Sequence, residues 1–190
     1  TLVAAGNDKG FDLLILDKSL IIRHVIHYGI NDGFTGGENS SNSIAVDSEG
    51  MVWIGTKNGL MRYNLFKDFN YSSLPETRIT GIKLFFEEVD WKTRDFNTIR
   101  WSDLPENLVL SHNDNHLTFV FTGFSYDNPE GLEFSYFLEN QSKEWSPYIR
   151  EREVVFSGLT PGNYDFKVRA RNKFGVTGET AEYRFVIKPP

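Results

Sequence analysis

The sequence predicts an all-β chain in two parts, a partial β-propeller followed by a β-sandwich. Three observations predict it. Residues 47–64 (DSEGMVWIGTKNGLMRYN) read as a turn, a strand, a tight turn and a second strand. A related run lies about 50 residues upstream, the spacing of stacked multi-strand repeats. Beyond residue 79, short alternating apolar runs recur with turn residues every 8–12 positions, which describes a sandwich. The 16 Phe and 8 Tyr, within an aromatic content of 15%, suit half-buried sheet faces. No helix longer than a turn or two is indicated.

The first part is read in order as follows. Residues 2–6 form a short apolar run, Asn7-Asp8-Lys9-Gly10 a turn, residues 11–16 a second strand, Asp17-Lys18-Ser19 a turn, and residues 20–27 a third strand. Residues 28–43 are a polar connection with four glycines. Ile44-Ala45-Val46 is a strand, 47–50 a turn, and 51–54 and 60–63 are strands around Asn58-Gly59. That dipeptide tolerates the positive φ of a tight hairpin turn. Val3-Ala4-Ala5-Gly6…Gly10 resembles Trp53-Ile54-Gly55-Thr56…Gly59, with an offset of 50 at Gly6/Thr56 and 49 at Gly10/Gly59. Repeats of about 40–50 residues with several strands each suggest propeller blades. Residues 1–73 would then hold about one and three-quarter blades and a linker, too few to close a ring. Open edges and bare apolar faces follow, so this part is expected to pair with a neighbouring molecule or to be poorly ordered.

The linker is read at 65–77, where regularity falls and Pro75 intervenes. The sandwich is assigned to 74–190. A strand over 79–89 loses its alternation at Phe85-Phe86, residues 90–104 are irregular, and 108–111 is short. Residues 117–124, 132–138 and 163–170 alternate well, 154–156 is short, and 182–187 is the last strand.

Length and charge set outer limits. A chain of 190 residues has room for one large domain or two small ones. A net charge of −6 without basic–aromatic interleaving argues against nucleic-acid binding. With no cysteine, disulfides and thiolate metal sites are excluded; that fits the cytosol and an exported bacterial protein alike. No signal peptide is visible, and no apolar run approaches the roughly 20 residues of a membrane span. Thr1 lies inside a strand and the chain stops at Pro189-Pro190, which reads as a piece of a longer protein.

Two resemblances add to this reading. Asp47, Gly50, Val52, Trp53, Ile54, Gly55, Thr56, Gly59, Leu60, Tyr63 and Asn64 match the propeller repeat of bacterial two-component regulators. Residues from about 79 to 190 resemble the immunoglobulin-like domain that follows those propellers and is named for its recurring tyrosines. The motifs are Asn115–Phe119, Phe124-Ser125-Tyr126, Phe134–Glu139, Trp145 and the run from Leu159 to Ala170. Phe156 departs from the family's usual tyrosine and lacks its hydroxyl. The order resembles the membrane-proximal end of a periplasmic sensor in a hybrid two-component system. The resemblance implies a homodimer through the sandwich and further propeller, membrane and kinase regions elsewhere in the same protein. It also implies an oligosaccharide ligand and carbohydrate sensing, with no nucleic acid bound by this piece.

Candidate sites are few. Trp91, Trp101, Trp145 and Tyr148 lie in irregular segments, where aromatic rings can stack on sugars or form an interface; packing within the sandwich is the plainer role. Trp145 belongs to the resembled pattern, which favours a structural part, and Trp53 reads as a blade-packing residue. His112 and His116, with Asp114 between, lack a third and fourth ligand. Glu87-Glu88-Asp90 reads as a solvated edge, because adjacent strand residues face opposite ways. Nothing singles out a carboxylate pair for glycoside hydrolysis. No phosphate loop or nucleophile elbow is present. No catalytic residue, cofactor or metal is therefore assigned. The leading expectation is a non-enzymatic sensor piece; a carbohydrate-binding or adhesion module of an extracellular glycan-active protein is the second, and a hydrolase the third.

Overall fold

Alternating apolar residues and short polar turns organise the described residues into fourteen strands with two single-turn 3-10 segments. The computed structural model describes residues 1–64, 67, 74–100, 102–125 and 131–190. These fall into two compact units, Thr1–Ser73 and Leu74–Pro190. Trp101 and Tyr126 lie outside the described residues, as does most of the linker. Among the described residues no helix is long and apolar enough to cross a membrane.

The first unit contains two antiparallel three-stranded meanders, β1 (Leu2–Asn7), β2 (Gly10–Leu16) and β3 (Ile22–Tyr28), then β4 (Asn39–Val46), β5 (Met51–Thr56) and β6 (Gly59–Asn64). The β1–β2 and β5–β6 ladders have the same register. Leu2 faces Ile15 as Met51 faces Asn64, and Asn7 faces Gly10 as Thr56 faces Gly59. The repeat is thus 49 residues throughout, and Gly6 corresponds to Gly55 rather than to Thr56. The first hairpin turns on Asp8-Lys9, the centre of the expected turn, whereas the second sits one position earlier than expected, on Lys57-Asn58, because Gly59 already pairs with Thr56. β4 starts at Asn39, inside the stretch read as connection; its ladder slips between Asn39 and Ile44.

Two further turns share one chemistry. Asp17 Oδ1 accepts from the amides of Ser19 and Ile21 at 2.8 and 3.0 Å. Asp47 Oδ1 accepts from Glu49 and Met51, both at 2.9 Å. Each loop carries a left-handed residue three places after its aspartate, Leu20 at φ 60° and Gly50 at φ 79°. Such side-chain bonds replace the ladder bonds that the reversing chain gives up. Inside the unit, Phe11 stacks on Tyr28 at 4.8 Å and Tyr63 meets both edge-on. Phe11, Leu13, Ile26, Val52 and Ile54 are buried, whereas Leu2, Val3, Val25, Val46 and Leu60 are exposed.

The second unit pairs two four-stranded sheets face to face. One has the order β12 (Glu153–Phe156), β10 (Leu117–Phe124), β7 (Glu76–Leu84), β8 (Glu87–Glu88). The other has β11 (Glu133–Leu138), β13 (Gly162–Arg171), β14 (Ala181–Ile187), β9 (Leu108–Leu110). Phe119 of the first sheet stacks on Phe166 of the second with ring centroids 4.1 Å apart. Phe121, Phe134, Phe185 and Leu117 complete the centre. One buried polar tie joins the sheets, the Ala170 amide donating to Thr77 Oγ1 at 2.9 Å. Tyr164 Oη donates back to Thr160 O at 2.7 Å, the corner arrangement that immunoglobulin-type sandwiches share.

One end of the sandwich gathers four segments. The Phe85 amide donates to His116 O at 3.0 Å, the Leu159 amide to Asn115 O at 3.1 Å, and the Lys188 amide to Leu110 O at 2.9 Å. The β7–β8 turn, the 111–116 turn, the 157–161 corner and the exit of β14 therefore lie together.

Candidate functional site

The outer face of the β11-β13-β14-β9 sheet brings chemistry-bearing side chains together. Strand alternation explains it. Along β13, Tyr164, Phe166, Val168 and Ala170 point to the core, so Asp165, Lys167, Arg169 and Arg171 line the other face. Antiparallel register sets Arg171 opposite Glu133 and Arg169 opposite Ser135.

Residues 139–152 fold back along the free edge of β11. Phe134 and Ile149 exchange backbone bonds at 2.7 and 2.9 Å, and the Ser146 amide donates to Tyr136 O at 2.9 Å. Ser135 Oγ donates to Ser146 O at 2.8 Å. This edge pairing carries Trp145 and Tyr148 over the face. The Arg169 guanidinium lies 4.1 Å from the Trp145 ring centroid, with Phe137 at 5.9 Å from the same ring. Arg171 lies 3.8 Å from the Tyr148 centroid and pairs with Glu133 at 2.6 Å. Tyr148 Oη meets Thr177 Oγ1 at 3.0 Å. The Nε atoms of Arg169 and Arg171 are buried without a hydrogen-bond partner. Stacking on aromatic faces compensates for that lost hydration.

The same face continues into a groove of about 500 Å³ lined by Asn107, Val109, Asn140, Asn163, Asp165 and Arg184, among others. Asp165, only 7% exposed, is the groove's buried charge. Its Oδ2 lies 3.5 Å from Lys167 Nζ and 3.4 Å from Arg184 Nε, while Oδ1 has no hydrogen-bond partner. The arrangement offers amides, two carboxylates (Glu139 and Asp165) and one exposed guanidinium, a set suited to recognition. No nucleophile–base pair is assembled on this face, and no group of three metal-ligating side chains occurs among the described residues.

Of the four aromatic residues singled out from the sequence, the structure brings together Trp145 and Tyr148. Trp91 is a correction: it is 2% exposed and sits edge-on to Phe96 in the core, so it has almost no surface for a ligand or partner. Trp101 lies outside the described residues. Sequence reasoning missed Arg169 and Arg171 as the partners of the two rings. The available signal was Lys167, Arg169 and Arg171 recurring every second residue on a strand whose alternate positions are wholly apolar.

Comparisons with known proteins place this geometry. No curated protein sequence matches the chain. Among solved structures the chain is similar to the extracellular domain of BT3049, a candidate hybrid two component system of B. thetaiotaomicron, at 22% identity and a TM-score of 0.68, covering 99% of this chain and 25% of that one. It is also similar to the extracellular domain of BT4673, another candidate hybrid two component system of that organism, at 22% identity and a TM-score of 0.52, covering 100% of this chain and 24% of that one. Identities this low show a shared fold, and the chain spans about a quarter of the length of those structures. Within the second unit, residues 125–188 match the Y_Y_Y domain family.

Proposed function

We propose that this chain is a non-catalytic, extracytoplasmic piece of a two-component sensor, periplasmic in location, which carries a ligand signal toward the membrane. The observation that carries this reading is an order of parts. A meander repeated at 49 residues precedes a sandwich that matches the Y_Y_Y domain over 125–188. In this reading the two meanders are blades of a propeller completed elsewhere in the protein, and the second unit is an immunoglobulin-like relay. The ligand is an oligosaccharide. Two sandwiches meet in a homodimer, and ligand binding biases that dimer between two arrangements, which requires different ligand affinity for each.

The stacked Arg169–Trp145 and Arg171–Tyr148 pairs support a stiff relay, since they clamp an edge segment onto the sheet. They speak against the second reading, a free-standing carbohydrate-binding or adhesion module. A sugar platform needs an open ring face, and Arg169 takes up one of the two faces of Trp145. The decisive experiment uses the parent gene with a reporter placed under the genes it controls. Induction by a glycan that is lost when residues 74–190 are deleted supports the reading. A parent gene that encodes no membrane span and kinase sinks it.

A further inference from the structure

The β7–β8 hairpin closes on Phe85-Phe86, and both residues hold left-handed backbone, at φ 50° and 68°. Positive φ at both central positions is the type I′ form of a two-residue hairpin, which Asn-Gly supplies with the least steric cost. Bulky aromatic residues there are strained, and strain of this kind persists only where something else favours the residue. Burial does not offset it. Phe85 is 50% exposed and Phe86 65%.

Their inward contact is the ring of His116, with centroids 5.6 Å from Phe85 and 4.5 Å from Phe86. The Phe85 amide is tied to His116 O as well, so the pair is held outward on a fixed base. Two exposed aromatic rings side by side on a hydrogen-bonded base form an apolar tip suited to an apolar medium. Its position agrees: the tip stands at the end of the sandwich where β14 runs out, through the bonds from Phe85 to His116 and from Lys188 to Leu110. The flanking Glu87 and Glu88 are exposed and would repel an anionic surface, which leaves a zwitterionic one.

We propose that Phe85-Phe86 is a lipid-contacting tip that inserts shallowly into the interface of a zwitterionic bilayer. The inference rests on the reading that the sandwich stands beside a membrane. Inserted, the tip restricts the tilt of the sandwich relative to the bilayer.

The test uses the whole chain with a C-terminal polyhistidine tag, held on phosphatidylcholine vesicles by nickel-chelating lipid so that this end faces the bilayer. Phe86→Trp places a reporter at the tip, read against the parent's 4 Trp. Brominated acyl chains are expected to quench the added emission, as for side chains at the headgroup–acyl boundary. The paired variant Phe85→Asn with Phe86→Gly is expected to melt no lower than the parent and, on vesicles without the nickel-chelating lipid, to float less than the parent does. An unquenched reporter overturns the proposal. So does a paired variant that melts lower, because the rings are then a plug over His116, or one that converts a dimer to monomer, because the tip then meets a second copy. The tethered vesicle supplies the bilayer itself. Failure here leaves the sensor reading standing, and a parent gene without a membrane span sinks that reading whatever the vesicles show.

Discussion

Trp53 Nε1 donates a 2.7 Å hydrogen bond to Asp47 Oδ2, joining the middle of β5 to the turn that precedes it. The other carboxylate oxygen already holds the amides of Glu49 and Met51. Arg62, opposite Trp53 in the ladder, lies 5.6 Å from the indole centroid. One side chain thus ties a turn, its following strand and the next strand. Asp17 does the same upstream, with Arg23 in the place of the tryptophan at 2.6 Å.

Acid should expose this device. The Trp53 indole, then the Met51 and Glu49 amides and the Arg62 charge hold the Asp47 carboxyl below its usual value. The Ile21 amide, the Arg23 side chain and the Ser19 amide do so for Asp17. A folded-state pKa below the unfolded one means that the unfolded chain binds more protons, so this stabilisation is present above the ordinary carboxylate value, about 4, and is lost as pH falls through the depressed folded value. The first unit's unfolding midpoint should drop over that range, and Asp17→Asn with Asp47→Asn should flatten the drop. An equally steep decline in the double variant would show that other carboxylates govern it.

Trp145→Ala should loosen residues 139–152 without unfolding the sandwich. The cation–π contact with Arg169 is worth about 0.5–2 kcal/mol. Its loss leaves the Arg169 guanidinium with a buried, unpartnered Nε and no ring above it. Hydrogen exchange at the Ser146 and Ile149 amides, which bond to β11, should accelerate while core amides of β13 do not. Unchanged exchange at both amides would mean the backbone pairing alone holds the segment.

What the sequence made legible follows from where local rules act. Alternation in 117–124, 132–138 and 163–170 fixes both the strands and their facing, because one face of each is buried. The break at Phe85-Phe86 was visible as lost alternation, but its cause, two left-handed residues, belongs to backbone geometry that composition does not encode. Trp91 misled for a related reason: an irregular segment need not be exposed, and a 3-10 turn capped by Asp90 carries the ring into the core. The Arg169–Trp145 contact joins residues 24 positions apart and depends on an edge pairing that no local pattern announces. β4 was partly hidden because its polar, irregular half lacks the apolar alternation on which strand recognition relies.

Tyr183 offers a test from the alkaline side. Its hydroxyl donates to Pro105 O at 2.6 Å in a buried setting. Burial pushes its pKa far above the ordinary phenol value. The sign is opposite to that of the aspartates: a raised folded pKa gives stability that is present below the unfolded value, about 10, and lost as pH rises further. Tyr183→Phe should cost about 1–3 kcal/mol near neutrality by leaving the Pro105 carbonyl unpaired. It should also weaken the alkaline decline of the second unit. A variant with the parent's full alkaline decline would place its origin in another group.

The Phe119–Phe166 stack joins the two sheets of the second unit at their centre. Phe119 is fully buried and touches Phe156, Tyr183 and Phe185 as well as Phe166, so its removal leaves a void that four ring neighbours must fill. Phe119→Ala should cost about 3–5 kcal/mol, a large share of the roughly 5–15 kcal/mol that a domain commands. Phe119→Leu, which keeps most of the volume, should cost less. Urea unfolding of the chain should show the second unit's transition moving far to lower denaturant in the alanine variant while that of the first unit holds its place. If alanine cost less than about 1 kcal/mol, the sandwich core would be collapsing around the gap, and the stiffness of the second unit would have to come from the Arg169–Trp145 face instead.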